Sequence, residues 1–324
     1  MAGVVSCAAS RKNPGTEASG CLCRHKEPFD ATTNMIPAQN ISVVFQGPIA
    51  SGQADVVHHN VRQVKRLLPQ SEIIISTWRG SGVADLNCEV DQIIESTDPG
   101  IATLGWDSKC NINRQICSTQ TGLNVATRQY AMKIRLDSTL SGLSFLEVYS
   151  QMLSDSQVGP ASLFRQRVLA TSLYFRDAAK SNYLFHPSDT FQFGLRSDLH
   201  DLWNVPLVGE GDPVTEKLAL VPEQYLWIRY LLSKGIPAKN VDASRFRWSS
   251  MIMSEWSLAT NWWVVAGERH GIDLPARFLT TNLPGKTHFE EEWNSFAMRS
   301  GRKPSWRACR WNVVRKFTRK VRWP

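Results

Sequence analysis

The sequence predicts an α/β protein built on an open, mostly parallel sheet flanked by helices, on three observations. Short apolar runs such as Ile41 to Phe45 are continuous rather than alternating, as in strands buried on both faces. Amphipathic segments with apolar residues three and four apart separate these runs. Gly, Pro and Asp clusters close them sharply.

Taken in order, "ISVVFQGPIA" supplies a first strand broken by Gln46-Gly47-Pro48. Val57, Val61, Val64 and Leu68 then fall at helical spacing, with Asp55 placed as an N-cap and Pro69 beyond the end. "SEIIISTW" reads as a second strand, and "DQIIESTDPG" as a third that ends on the Asp98-Pro99-Gly100 turn. "NINRQICSTQTGLNVATRQ" predicts a helix interrupted near Gly122, followed by the strand "YAMKIRLD". Strand, helix, two strands, helix and strand within about 100 residues point to parallel pairing through right-handed crossovers. Phe145 to Arg176 reads as mixed helical excursions covering the sheet. Thr190 to Gly194 alternates like a strand, and Ser197 to Trp203 suits a short helix. "VPEQYLWIRYLLSKG" is a helix with Pro222 in its first turn and Gly235 past its end. Beyond Trp248 the pattern weakens, and there is no internal repeat.

The 324 residues carry a formal net charge of +8, but its location decides its meaning. Of 37 Lys and Arg residues, ten lie between Arg299 and Pro324, where there is no acid, leaving 27 basic against 29 acidic residues elsewhere. The expected organisation is a disordered leader over 1–38, one globular domain over 39–298, and a basic tail over 299–324. In the tail Trp306, Cys309, Val313, Phe317 and Val321 recur at three- and four-residue intervals, the pattern of a helix lying on an anionic membrane surface. Confinement of the basic residues to the tail argues against a nucleic-acid partner. Seven scattered cysteines without a C-x-x-C pair argue against a disulfide framework or zinc site and fit a reducing, cytoplasmic location. The start lacks a secretory signal, and the most apolar stretch, Met251 to Gly267, contains Glu255 and Asn261.

Neither G-x-G-x-x-G nor G-x-x-x-x-G-K-[ST] occurs, which lowers dinucleotide oxidoreductases, Rossmann-type methyltransferases and P-loop kinases. Nucleotide-sugar transferases remain, in which a strand ends on a carboxylate that holds a metal against a diphosphate. On a strand, Lys133, Arg135 and Asp137 share one face near the carboxyl end, where open α/β sheets hold their ligands. Asp137 stands where that carboxylate belongs, or it caps the following turn.

"SVVFQGPI", "EIIISTWRGS", "ESTDPG", "NINRQICSTQTGL", "YAMKIRLD", "HPSDTFQFG" and "PEQYLW" occur in the order and approximate spacing of the WavE-type lipopolysaccharide-synthesis proteins. The resemblance covers about Ile41 to Trp227. It implies a GT-A-like fold, a nucleotide-sugar donor and a lipid-linked or oligosaccharide acceptor, with the enzyme on the inner face of the membrane. A sugar nucleotidyltransferase is disfavoured because "QGPIASGQ" has no basic residue for a triphosphate; a carbohydrate-binding scaffold is the non-enzymatic rival.

Within that resemblance, Gln46, Gly47 and Pro48 are expected to meet the nucleotide base and ribose, or to form a tight turn. Asp98 is expected to accept from uracil or ribose, or to close a turn. Asn113 and Arg114 open a helix and suit a phosphate, with Asn111 as N-cap. Arg135-Leu136-Asp137 has Arg at the first acidic position of an Asp-x-Asp pair. A divalent ion about 3 Å from one phosphate charge gains roughly 11 kcal/mol at an effective dielectric near 20, about twice what an Arg gains. Arg135 is therefore expected to supply part of the neutralisation that a metal otherwise provides, and the cofactor expectation is Mg²⁺ or Mn²⁺ resting on Asp137 plus substrate phosphates. Glu223 is the expected catalytic base, Asp189 its rival, and His186 an orienting or donor-binding residue. Tyr225 and Trp227 can stack on sugars but fit a core better.

Overall fold

The computed structural model describes residues 35–300, except 51, 87–88, 105–107, 156–161, 182, 220, 246 and 277–289. The expected leader is described only over 35–38, where Ile36 and Ala38 pack on the core. Of the expected basic tail, residues 301–324 lie outside the described residues.

The first half runs β1 (Ile41–Gln46), α1 (Ala54–Leu67), β2 (Glu72–Trp78), β3 (Gln92–Ser96), β4 (Ala102–Leu104), β5 (Ser108–Cys110), α2 (Ile112–Val125), β6 (Tyr130–Arg135), β7 (Thr139–Leu140) and α3 (Ser144–Asp155). The second half runs β8 (Val168–Thr171), α4 (Ala178–Ser181), β9 (Phe191–Leu195), α5 (Arg196–Trp203), α6 (Pro213–Lys217), α7 (Pro222–Ser233), α8 (Trp248–Asn261), β10 (Trp262–Val265), β11 (Ile272–Asp273) and α9 (Glu290–Ser300). Seven strands form one sheet in the order β10-β8-β9-β6-β1-β2-β3. Every neighbouring pair is parallel except those of β9, which runs against both β6 and β8. This is the mostly parallel, helix-flanked open sheet that the sequence predicts. The strand residues of β1, β2, β8 and β10 are all buried, which explains why their apolar runs do not alternate.

Several local readings are corrected. Asp55 lies in the first turn of α1, and Gln53 is the N-cap, without a side-chain capping bond. Helix α2 is continuous through Gly122, whose place is set by packing: a Cβ there would come within 2.4 Å of Val44 Cγ1. The stretch from Phe145 to Arg176, read as helical cover, contributes the interior strand β8. Its four residues are too few to show a period, and the reversed β9 beside it is equally invisible to periodicity. The β4–β5 hairpin was also not expected.

Strand β10 is an edge of the large sheet, and α9 covers it. Asn294 donates from Nδ2 to the Val264 carbonyl (2.7 Å) and accepts from the Val264 N–H (3.0 Å), as a neighbouring strand would. Glu290 accepts from the Ala266 N–H (2.9 Å), and Trp293 donates to the Trp262 carbonyl (3.3 Å). Arg167 reaches across to the Ala297 carbonyl (3.0 Å). Among the described residues, no helix is long and apolar enough to cross a membrane.

Candidate active site

The carboxyl ends of β1, β6 and β8 and the beginning of the reversed β9 meet along one edge of the sheet. Gln46 pairs with Arg135 in the register, and the Leu136 N–H donates to the Gln46 carbonyl (3.1 Å). The loop after β1 and the turn after β6 are therefore adjacent. Gly47 has φ +128°, and a Cβ built there meets nothing within 4 Å, so its backbone borders open space.

Asp137 is not on the strand. It follows β6 in a turn that brings it back to Arg135, whose Nε and Nη2 donate to its two carboxylate oxygens at 2.9 Å each. Both side chains keep about a fifth of their surface exposed, at 22% and 20%. Each Asp137 oxygen accepts a bond from the guanidinium fork, and a carboxylate oxygen has a second lone pair for a further partner. Among the described residues, no group of three or more His, Cys, Asp or Glu side chains is placed to hold an ion.

Lys133 and Arg135 share a strand face, as expected from period two, but Lys133 is sealed at 1% exposure. Its ammonium donates to the Asp189 carbonyl and lies 4.9 Å from the centre of the Trp203 ring. Burial pulls its pKa down to about 8, against the opposing pull of Asp189. Glu223, in the first turn of α7, keeps 16% of its side chain exposed. Burial and then the neighbouring Asp189 charge push it up to about 8, while Arg176 and Lys133 act the other way. His186 Nε2 lies 3.5 Å from Glu223 Oε2, and burial and Arg176 lower this imidazole to about 3, so it is neutral. Asp189, 7% exposed, is thus close enough to act on Glu223 electrostatically, in a small cluster that also holds two cations and a neutral imidazole.

Arg176 is the member of this cluster that sequence reasoning missed. It is 8% exposed and lies two residues after Tyr174, whose φ of +62° is a left-handed conformation rare for such a residue. Its N–H donates to the His186 carbonyl (3.1 Å), and His186 in turn follows Phe185 at φ +53°. Two left-handed residues so placed mark a backbone held under strain beside the carboxylates. The one available signal was a charge ending the apolar run Leu173-Tyr174-Phe175.

Other expected residues lie apart from this cluster. Gln46 is 3% exposed and turns inward, its Oε1 accepting from Ser118 (2.9 Å), so its amide supports α2 rather than the open crevice. Asn113 is likewise structural: its amide donates to and accepts from the Val208 backbone at 3.0 and 2.7 Å. Asp98 and Arg114 do come together, Nε and Nη2 donating at 2.8 and 2.6 Å on an exposed surface. That pairing lowers the Asp98 carboxyl. Asn111 is the N-cap of α2 but makes no capping bond with its side chain. Pro48 is exposed beside Gly47. Tyr225 and Trp227 are fully buried, in agreement with the core reading.

A family model described as WavE lipopolysaccharide synthesis matches residues 41–321. Comparison with curated proteins gives no match. Among solved structures, the mannosyltransferase PcManGT from Pyrobaculum calidifontis, in complex with GDP-Man and Mn²⁺, is 11% identical with a TM-score of 0.36, covering 92% of this chain and 91% of its own. A cytidylyltransferase from Leptospira borgpetersenii serovar Hardjo-bovis is 11% identical with a TM-score of 0.29, covering 52% and 66%.

Proposed function

The chain belongs to the WavE lipopolysaccharide synthesis family, and from that premise we propose that it is a glycosyltransferase using a nucleoside diphosphate sugar. The observation that carries this reading is Glu223, a partly exposed carboxyl whose pKa of about 8 sits near working pH. A base poised there removes a proton from an acceptor hydroxyl as that oxygen attacks the anomeric carbon. Asp189 raises the affinity of Glu223 for that proton, and Arg176 and Lys133 limit the rise. Neutral His186 lies beside the carboxyl without adding charge.

On the β1 side of the edge, Arg135 is the cation we assign to the donor diphosphate, with Asp137 aligning its fork before the donor arrives. Gly47 and Pro48 border the space assigned to the nucleoside. If Mg²⁺ or Mn²⁺ takes part, Asp137 together with the donor phosphates would hold it, and it would supply charge neutralisation to the diphosphate. The acceptor we assign is a lipid-linked or oligosaccharide precursor of surface polysaccharide, which the family supports. The ten basic residues of the tail support work at the cytoplasmic membrane surface.

Release of nucleoside diphosphate from a panel of donors, with membrane acceptors supplied, tests the proposal. Turnover that Glu223→Gln abolishes is the expected result. No turnover with any donor would favour a carbohydrate-binding scaffold instead.

A further inference from the structure

The opposite edge of the sheet, where β6 begins and β9 ends, holds a groove of about 510 Å³. Three arginines line it, Arg128, Arg165 and Arg196, together with the polar residues Gln129, Gln166 and Ser197. Among the described residues, none of the three arginines is in an ion pair. Like charges gathered on one rim repel each other unless an anion joins them.

The backbone fixes this rim, and it does so by consuming the acids nearby. Asp198, 5% exposed, accepts from the N–H groups of Arg165 (3.1 Å) and Gln166 (2.9 Å). Glu72, 6% exposed, accepts from the N–H and hydroxyl of Thr127 (2.8 and 2.9 Å). The Arg128 N–H donates to the Ser42 hydroxyl (3.1 Å), and Arg196 donates to the Gln129 carbonyl from its N–H (2.9 Å) and to the Arg128 carbonyl from Nε (3.2 Å). Both carboxylates therefore face inward, and the three segments bearing guanidiniums are tied to one another.

We propose that this groove is a second binding site, for a phosphate-bearing saccharide. Planar guanidinium forks match phosphate oxygens, and the hydroxyl and amide groups match sugar hydroxyls. The volume is that of a site for a whole small molecule rather than a lone phosphate. Lying across the sheet from the Glu223 edge, the groove grips its ligand away from the chemistry, and its existence does not depend on the transfer reading.

Titration calorimetry with glucose 6-phosphate, in phosphate-free buffer, tests the site on the whole chain. Arg165→Gln/Arg196→Gln is expected to weaken binding at least tenfold and Arg128→Gln, at an exposed side chain, by several-fold, with the melting temperature unchanged in Arg128→Gln and only slightly lowered in the double variant, which loses the Arg196 Nε bond. Glucose is expected not to bind. Wild-type affinity in the double variant, or equal binding of glucose, would overturn the proposal. Arginine-dependent binding of phosphatidylglycerol vesicles without binding of glucose 6-phosphate would overturn it too, by assigning the groove to a lipid headgroup.

Discussion

Replacing Glu223 by Gln should change how stability varies with pH, in a direction fixed by two buried groups. Folded Glu223 sits at about 8 against an ordinary 4.5, so between those values the fold holds a proton that the unfolded chain has released. Rising pH therefore destabilises the fold through Glu223. Lys133 sits at about 8 against 10.5, and in that window the unfolded chain holds the proton that the fold has lost. Rising pH stabilises the fold through Lys133. Between pH 7 and 9 the two effects have opposite signs and similar size, so this pair leaves the wild type nearly level. Glu223→Gln removes the falling component and also the negative charge that supports Lys133, so its stability should rise over the same range by an amount on the order of 1 kcal/mol. Lys133→Met should fall by a similar amount. Urea unfolding at pH 7, 8 and 9 reads both slopes. If the wild type and Glu223→Gln run parallel, Glu223 is already ionised at neutral pH, and its description as a poised base is wrong.

Activity should follow the same proton: kcat/KM is expected to rise with pH through a limb near 8, because only the ionised carboxyl accepts a proton. A profile flat from pH 6 to 9 would remove Glu223 from that role. Arg135→Met should weaken nucleoside diphosphate binding by about 10- to 100-fold in calorimetry, the loss of a charge-assisted bond worth about 1.5–3 kcal/mol, with little loss of fold stability. Unchanged affinity would detach Arg135 from the donor. Asn113→Ala should cost about 2 kcal/mol in urea unfolding by leaving the Val208 backbone groups unpaired, while nucleotide affinity stays the same. The converse pattern would restore the binding role that its sequence position suggests. Gly122→Ala should cost about 1–3 kcal/mol, since the new methyl group must displace Val44, and a neutral result would mean that α2 can shift away from the sheet.

The parallel half of the fold was legible because β1 and β2 announce themselves by apolar runs, α1 by the period of its apolar residues, and α7 by that period and Pro222 in its first turn. What the sequence hid is non-local. Strand β9 looks the same whichever way it runs, and only pairing with β6 and β8 reverses it. At the site, Glu223 and Asp189 could be named from position, but they are 34 residues apart in number, and their mutual effect arises only because α7 meets the segment before β9, where Gln224 donates to the Leu184 carbonyl (2.9 Å). Asp137 shows the limit of period-two reasoning: β6 ends at Arg135, and the turn after it decides where the carboxylate points. Asn113 and Gln46 were plausible ligand contacts by residue type. Each instead fills a hydrogen-bonding vacancy in a distant segment, which no linear pattern reveals.

The amide of Asn294 impersonates a missing neighbour for β10, satisfying one donor and one acceptor that an unprotected border would offer to any passing chain. Helix α9 is thus a guard against self-association as much as a piece of packing. A chain cut before Glu290 should bare that border, and its first symptom in light scattering would be concentration-dependent aggregation, with strand-rich infrared absorption to match.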